Sequence, residues 1–216
     1  MICRRLLPLL FFFAGSAFAV PVPDFTGASW VWADEDGLSL ADDLKHETAF
    51  LRHSFEVPTG ATVVSGVLSL AADNSAEAWV NGEPVGKTNA DRTQSVAIDI
   101  AKSLRPGKNV IAIRGQNTSL PKDAGGCIIA LTAKLRLVDG QEQNVSIGSE
   151  ESWKGASDAS AGWEKVDFND AAWSPATVLV PLGGAPWATD FLGSGTGVGG
   201  EMPEFSIGAD AKTLSP

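Results

Sequence analysis

Residues 68–86 read Leu68-Ser-Leu-Ala-Ala-Asp-Asn-Ser-Ala-Glu-Ala-Trp-Val-Asn-Gly-Glu-Pro-Val-Gly86. Alternating apolar residues predict one strand that ends at the polar pair Asp73-Asn74 and a second strand that ends at Val80. Asn81-Gly82 then predicts a type I′ turn, because both central residues of that turn need a positive φ. This stretch therefore predicts an antiparallel β domain.

Strand patterns separated by turn signals recur on both sides of this stretch. The longest are Thr48 to Val57, Val110 to Asn117 and Cys127 to Val138. Asp139-Gly140 follows the last of them and predicts a second hairpin of the same kind as the one at Asn81-Gly82. We predict an all-β fold, an antiparallel β-sandwich of jelly-roll type with one short helix.

Four predictions concern the parts between the long strands. Asp99 can cap one or two helical turns that Pro106-Gly107 stops, and Leu38 to Lys45 can form a short surface helix. The two-residue period of a strand predicts that Trp30 and Trp32 share one face. Between Gly155 and Trp187, large aromatic residues in irregular chain predict a segment that folds back over a sheet and plugs its edge.

The first residues predict export. Arg4-Arg5, the apolar run Leu6 to Phe13 and Ala17-Phe-Ala19 follow one another in the order of a secretory signal peptide, with cleavage after Ala19. The apolar run is too short to span a bilayer. We expect a signal peptide at 1–19, a sandwich domain at 24–187 and a glycine-rich flexible tail or linker at 188–216. The expected destination is periplasmic or extracellular.

Charge and cysteine content narrow the function classes. Removal of Arg4 and Arg5 leaves 14 Lys and Arg against 26 Asp and Glu, so the formal charge moves from −10 to −12. An acidic surface repels phosphate backbones and anionic headgroups, which argues against nucleic-acid and membrane partners. Cys3 leaves with the signal peptide, and Cys127 is then the remaining cysteine. In its apolar surroundings we interpret it as a strand residue.

Three motifs suggest a family. They are Glu77-Ala-Trp-Val-Asn-Gly82, Asp99-Ile-Ala-Lys-Ser-Leu-Arg-Pro-Gly-Lys-Asn-Val-Ile-Ala-Ile113 and Asp167-Phe-Asn-Asp-Ala-Ala-Trp173. With them, the chain resembles the galactose-binding-like jelly-roll domains from about Trp30 to Trp187. It looks most like the N-terminal accessory domain of bacterial α-L-rhamnosidases and the sugar-binding domain of family 2 glycoside hydrolases. The resemblance implies a non-catalytic carbohydrate-binding or accessory module, because the catalytic barrel of those enzymes is absent from these 216 residues.

Residues suited to catalysis are sparse. A nucleophilic triad needs a histidine beside a serine or cysteine, and the chain has two histidines, His46 and His53, in segments that suit surface or strand positions. Asp34-Glu-Asp36 and Glu150-Glu151 supply paired carboxylates, but adjacent carboxylates in a loop point apart. We therefore predict no catalytic residues and no enzymatic activity.

The candidate ligand site lies in the loops at one end of the predicted sandwich. Connections of an antiparallel sandwich tend to alternate ends, which gathers the loops at 73–76, 87–95, 117–126 and 148–152. The hydrogen-bond partners that we predict there for sugar hydroxyls are Asp73, Asn74, Asp91, Arg92 and Asn117. We predict no cofactor. The resemblance leaves a structural calcium possible, with oxygen ligands from Asp73, Asn74 and Asp123, although turn chemistry explains these residues without an ion.

Three functions remain open at this stage. The first is a secreted, non-catalytic module that binds a carbohydrate or serves an adjacent domain. Trp79 would supply a sugar-stacking face if it is exposed, and it belongs to the core if it is buried. The alternative is a structural or protein-interaction β-sandwich with no sugar ligand. A glycoside hydrolase in its own right is the least favoured.

Overall fold

The computed structural model describes residues 21–34, 48–88, 95–118 and 124–187. The predicted signal peptide, the helix at Leu38 to Lys45 and the glycine-rich tail lie outside these ranges. The described chain is an all-β sandwich, as predicted. Its strands are β1 Ser29–Trp32, β2 Thr48–Val57, β3 Thr62–Asp73, β4 Ser75–Val80, β5 Glu83–Lys87, β6 Val96–Asp99, β7 Gly107–Gln116, β8 Gly126–Arg136, β9 Glu142–Gly148, β10 Lys154–Ala156, β11 Ser174–Pro175 and β12 Thr177–Pro181.

The strands form two antiparallel sheets. In the first sheet the order is β12-β1-β8-β3-β6, and β9 pairs with β8 beyond the end of β1. In the second sheet the order is β11-β10-β2-β7-β4-β5. Alternate residues of the long strands face the other sheet and form the central core. Its fully buried members include Leu51, Leu68, Leu70, Ile111, Ile113, Ile129 and Leu131.

Each sheet also carries an apolar cluster on its outer face. On the first sheet, Trp30, Ala71 and Ile128 lie under Phe25 and Trp187. On the second sheet, the outer-face residues are Phe50, Trp79, Val110 and Ala112, and they pack against Trp163, Phe168 and Trp173 of residues 157–173. The aromatic segment therefore covers a face of the second sheet. The prediction that the segment from Gly155 to Trp187 folds back over a sheet is confirmed, but it is β11 and β12 that lie at the sheet edges, and not the aromatic residues before them.

Trp30 and Trp32 face opposite ways. A register shift between Trp30 and Val31 interrupts the pairing of β1 with β12. The extra residue lies on β12, because Leu179 falls between Val180 and Val178, the partners of Trp30 and Val31. Next to this irregularity, Trp30 joins the outer cluster and Trp32 joins the central core. The prediction that both tryptophans share a face was wrong, because the period of two holds only where a strand and its pairing are regular.

The turns follow the sequence with two differences. Asn81 has φ 56° and Gly82 has φ 89°, which confirms the turn between β4 and β5. The β8–β9 hairpin also forms, but in its turn only Gly140 has a positive φ, so it is not the Asn81-Gly82 type. Asp99 accepts a hydrogen bond from the Ala101 amide at 3.0 Å, as a cap would, yet the described residues that follow form turns and no helix.

Candidate functional site

The ends of β3 and β7 meet at one end of the sandwich. The Asn74 backbone amide donates to the carbonyl of Gln116 at 2.9 Å, and the Thr118 amide donates to Asn74 Oδ1 at 2.7 Å. Asn117 lies between these two partners and is 2% exposed. Three predicted site residues, Asp73, Asn74 and Asn117, therefore lie on two loops that are bonded to each other. We call these three residues the rim.

Asp73 is the buried carboxylate of the rim. Its side chain is 2% exposed, because Oδ2 accepts a hydrogen bond from Trp187 Nε1 at 2.9 Å and Oδ1 accepts one from Asn74 Nδ2 at 3.2 Å. Two N–H donors offset much of the cost of burying a carboxylate. Trp187 in turn stacks on Trp30, with 4.4 Å between ring centroids and 18° between planes. Asp73 thus fixes both the Asn74 amide and the tryptophan that covers the first sheet.

Other loops reach the two ends as the alternation of connections predicts, with one exception. Thr88, at the end of β5, exchanges two hydrogen bonds of 2.8 Å with Ala76 beside the rim. At the opposite end, the Asn81 amide donates to the Ser103 carbonyl at 2.9 Å. Residues 148–152 are the exception. Asp73 of the rim pairs with Gly126 at the start of β8, whereas Gly148 pairs with Ala130, four residues further along β8. The loop that follows Gly148 therefore lies beside the sheet and not at the rim.

Asp91, Arg92 and Asp123 lie outside the described residues. The rim therefore contains three of the five predicted ligand contacts, and the suggested calcium ligands are only partly described. No group of three or more histidine, cysteine and acidic side chains placed to hold a metal ion occurs in the ranges that the structure describes. Within the same ranges, no helix combines the length and the apolar character needed to cross a membrane.

Of the residues with catalytic potential, Cys127 and His53 are placed for packing. Cys127 has no exposed surface, and burial raises the pKa of its thiol, which confirms the interpretation as a strand residue. His53 stacks on Trp153 at 5.3 Å, and burial lowers its pKa, with opposing effects from the Glu150 charge and the Ser152 backbone. Glu150 and Glu151 are both exposed. His46 lies outside the described residues.

The sequence patterns did not reveal the most buried cation among the described residues. Arg52 lies on the outer face of the second sheet and has no exposed side-chain surface. Its Nε donates to Asp170 Oδ2 at 2.9 Å, and its Nη1 donates to the carbonyl oxygens of Trp163 and Lys165. Asp170 belongs to the quoted motif Asp167 to Trp173, but the motif does not reveal a partner that is 118 positions away. Arg52 holds residues 157–173 on the sheet.

Comparisons with known proteins agree with the fold. No family model matches the chain. Over 174 residues the chain is 29% identical to an α-L-rhamnosidase of Streptomyces avermitilis, a match that covers 76% of this chain and 16% of that enzyme. The crystal structure of that organism's α-L-rhamnosidase complexed with L-rhamnose has a TM-score of 0.65 at 27% identity and covers 79% of this chain and 16% of the other.

A lectin has the same fold. The structure of the Pleurotus ostreatus lectin in complex with GalNAc gives a TM-score of 0.64 at 24% identity and covers 80% of this chain and 48% of the lectin chain. The chain thus spans a small part of the enzymes and about half of the lectin. The resemblance stated from the motifs is confirmed: this chain is a β-sandwich similar to a partial domain of the α-L-rhamnosidases.

Proposed function

We propose that this chain is a non-catalytic carbohydrate-binding module whose ligand contacts Asn74 at the rim, where the buried Asp73 and Asn117 support it, with Asp91 and Arg92 as further contacts. One observation carries the proposal. Asn74 is fixed by bonds to Asp73, Gln116 and Thr118, so an amide is held in one geometry where two loops meet. A preorganised amide suits the recognition of hydroxyls, because its side chain does not have to be ordered when the ligand binds.

The comparisons support the carbohydrate class. The matched rhamnosidase structure holds L-rhamnose and the matched lectin structure holds GalNAc, although a likeness of fold does not transfer a site. The absence of activity follows from the same proposal. The chain spans 16% of the rhamnosidase, and the described cysteine and histidine are used in packing. Hydrolysis of chromogenic rhamnosides and galactosides by the purified chain would contradict it.

Isothermal titration with L-rhamnose and GalNAc tests the binding proposal. We expect saturable binding to the wild-type chain and a loss of about tenfold or more in Asn74→Ala, the size that one hydrogen bond to a ligand supports. Asn144→Ala is the matched control, because Asn144 is an exposed amide on β9. Binding that is absent for both sugars and for a broad glycan panel, or lost equally in the control, would overturn the proposal.

Export is the second part of the proposal. It is supported by the order of basic, apolar and small residues up to Ala19. N-terminal sequencing of the protein recovered from the periplasm or the medium of a bacterial host should begin at Val20. A protein that keeps Met1 and stays in the cytoplasm would contradict export and leave the binding proposal intact.

The alternative function is a module that packs against another domain without binding sugar. It is favoured by β12, an edge strand whose Val178 is 43% exposed and is followed by Leu182 at 36%. Sedimentation of the wild-type chain would then show association that Val178→Lys removes. A monomer at all concentrations, together with sugar binding, would leave the carbohydrate proposal as the better account.

A further inference from the structure

The edge of the second sheet has a groove that residues 157–173 do not line. The groove has a volume of about 550 Å³ and lies along the β4–β5 hairpin, lined mainly by Glu77, Trp79, Pro84, Val85 and Lys87. We call it the hairpin groove. Its volume falls within the range of small-molecule sites, about 300–1,000 Å³. It is separate from the rim, because Asp73 and Asn74 do not line it.

Trp79 forms the aromatic wall of the groove. The sequence left Trp79 as either an exposed platform or a core residue, and the structure places it between these cases. Its ring meets Trp163 edge to face, with 5.4 Å between centroids, so it is held in position from one side. The residue is half-buried, and Pro84 is its partner in the strand register. The result is a rigid apolar surface of the size of a sugar ring.

Charged groups lie next to this aromatic wall. Arg114, Glu77 and Lys87 are register partners on β7, β4 and β5, so they form one row across the sheet face beside Trp79. Arg114 Nη2 donates to Glu77 Oε2 at 2.6 Å. Arg114 Nε is shielded, so the donor that the row offers to a ligand is the exposed Lys87 ammonium. An aromatic face flanked by charged donors and acceptors matches a pyranose, which has an apolar C–H face and polar hydroxyls at its edge.

An extended peptide fits this place less well. β5 is the edge strand of the second sheet and could in principle accept another strand. However, Pro84 has no backbone N–H to donate, and Lys87 puts a charge on the edge. Both features are known to discourage strand addition. The chemistry of the groove therefore favours a small polar ring over a backbone.

We propose that the hairpin groove is a second sugar-binding subsite, in which a pyranose ring stacks on Trp79 and its hydroxyls bond to Glu77 and Lys87. The ligand class rests on the proposed function, but the location does not depend on the rim. A chain with both sites would engage two units of one polysaccharide or two neighbouring chains. Two weak sites on one rigid body raise the overall affinity through effective concentration.

The indole N–H signals of the tryptophans test the two sites separately. Methyl glycosides of rhamnose, galactose and glucose are titrated into the ¹⁵N-labelled full chain. We expect a saturable shift of the Trp79 signal that persists in Asn74→Ala. We also expect it to weaken about tenfold in Glu77→Gln, because an amide replaces the charged acceptor. Glu142→Gln is the matched control, since Glu142 also pairs with a cation on an exposed strand.

The Trp79 and Trp187 signals distinguish a failure of the groove proposal from a failure of carbohydrate binding at both sites. If Trp187, which is bonded to Asp73, responds to a glycoside and Trp79 does not, the groove proposal is overturned and the rim stands. If neither signal moves, both proposals fail. A Trp79 shift that depends on protein concentration without glycoside would identify a second copy of the chain as the occupant and overturn the sugar subsite. Circular dichroism of Glu77→Gln, which retains the Trp79 side chain, separates a loss of folding from a loss of binding.

Discussion

Arg52 and Asp170 are joined by a hydrogen bond of 2.9 Å from Nε to Oδ2, across 118 positions of the chain. The guanidinium also lies 5.1 Å from the centroid of the Phe168 ring. Its Nη2 makes no hydrogen bond within the described residues. The Arg52 guanidinium thus binds residues 157–173 through a carboxylate, two backbone carbonyls and an aromatic ring. Its removal should loosen the contact of this whole segment with the second sheet.

Asp170→Ala should lower the free energy of unfolding by about 3 kcal/mol, because it leaves a buried guanidinium without its counter-charge. The measurement is urea denaturation followed by circular dichroism. Glu142→Ala is the control, because its pair with Lys134 at 3.2 Å is about half exposed on both sides. That loss should stay below about 1 kcal/mol. Equal small losses in the two variants would contradict the role of Arg52.

Asn81 has two separable roles in the β4–β5 turn. Its backbone has a positive φ of 56°, and its side chain donates to Ser103 and accepts from the Val110 amide at 2.9 Å. Asn81→Gly and Asn81→Ala both remove the side-chain bonds, but alanine keeps a Cβ in the left-handed region and glycine does not. Unfolding free energies should therefore be lower for alanine than for glycine by about 1 kcal/mol. If Asn81→Gly were less stable than Asn81→Ala, the positive φ at position 81 would not be costly for a residue with a Cβ.

His53 should make stability depend on pH in the acid range. Burial lowers its pKa from 6.5 in the folded state, so the unfolded chain takes up the proton first. Its contribution is complete above pH 6.5 and is lost as the pH falls towards the folded pKa. His53→Phe keeps a ring on Trp153 without a titrating group. The stability of the wild type relative to this variant should fall between about pH 8 and about pH 5. A constant difference would contradict the assignment.

Cys127 should be inert in the folded protein. Its side chain has no exposed surface, and burial raises the pKa of the thiol, with a further contribution from the Asp73 charge. The thiolate is the reactive form, so both effects slow modification. An aromatic disulfide reagent should react only at the rate of unfolding, and at once in denaturant. Fast labelling of the native chain would show that β8 opens locally.

The sequence predicted the parts of the fold that depend on neighbours in the chain. The Asn81-Gly82 turn and the strand patterns are local, since turn type and alternation are set by adjacent residues. The bulge between Trp30 and Val31 was not predictable, because it depends on how β1 meets β8 and β12. The sheet face under Trp173 was missed for a similar reason, since its anchor, Arg52, lies far away in the chain.

The placement of the candidate site residues was predicted to a similar extent. Asn74 and Asn117 were both identified from polar loops, and their proximity follows from the pairing of β4 with β7. The bond between Asp73 and Trp187 spans 114 positions and could not be read from any pattern. The row of Arg114, Glu77 and Lys87 needed the strand register, which single strands do not reveal. Asp91 and Arg92 remain predictions.

The seven tryptophans are distributed over all three apolar layers of the molecule. Trp30 and Trp187 lie on the outer face of the first sheet, and Trp32 and Trp153 lie in the central core. The other three lie on the outer face of the second sheet. The protein therefore carries an intrinsic optical reporter in every layer. The close parallel stack of Trp30 and Trp187 should couple their electronic transitions and give a near-ultraviolet signal of its own. Near-ultraviolet spectroscopy on the unlabelled chain can thus follow the detachment of Trp187 from the first sheet while the central core stays folded.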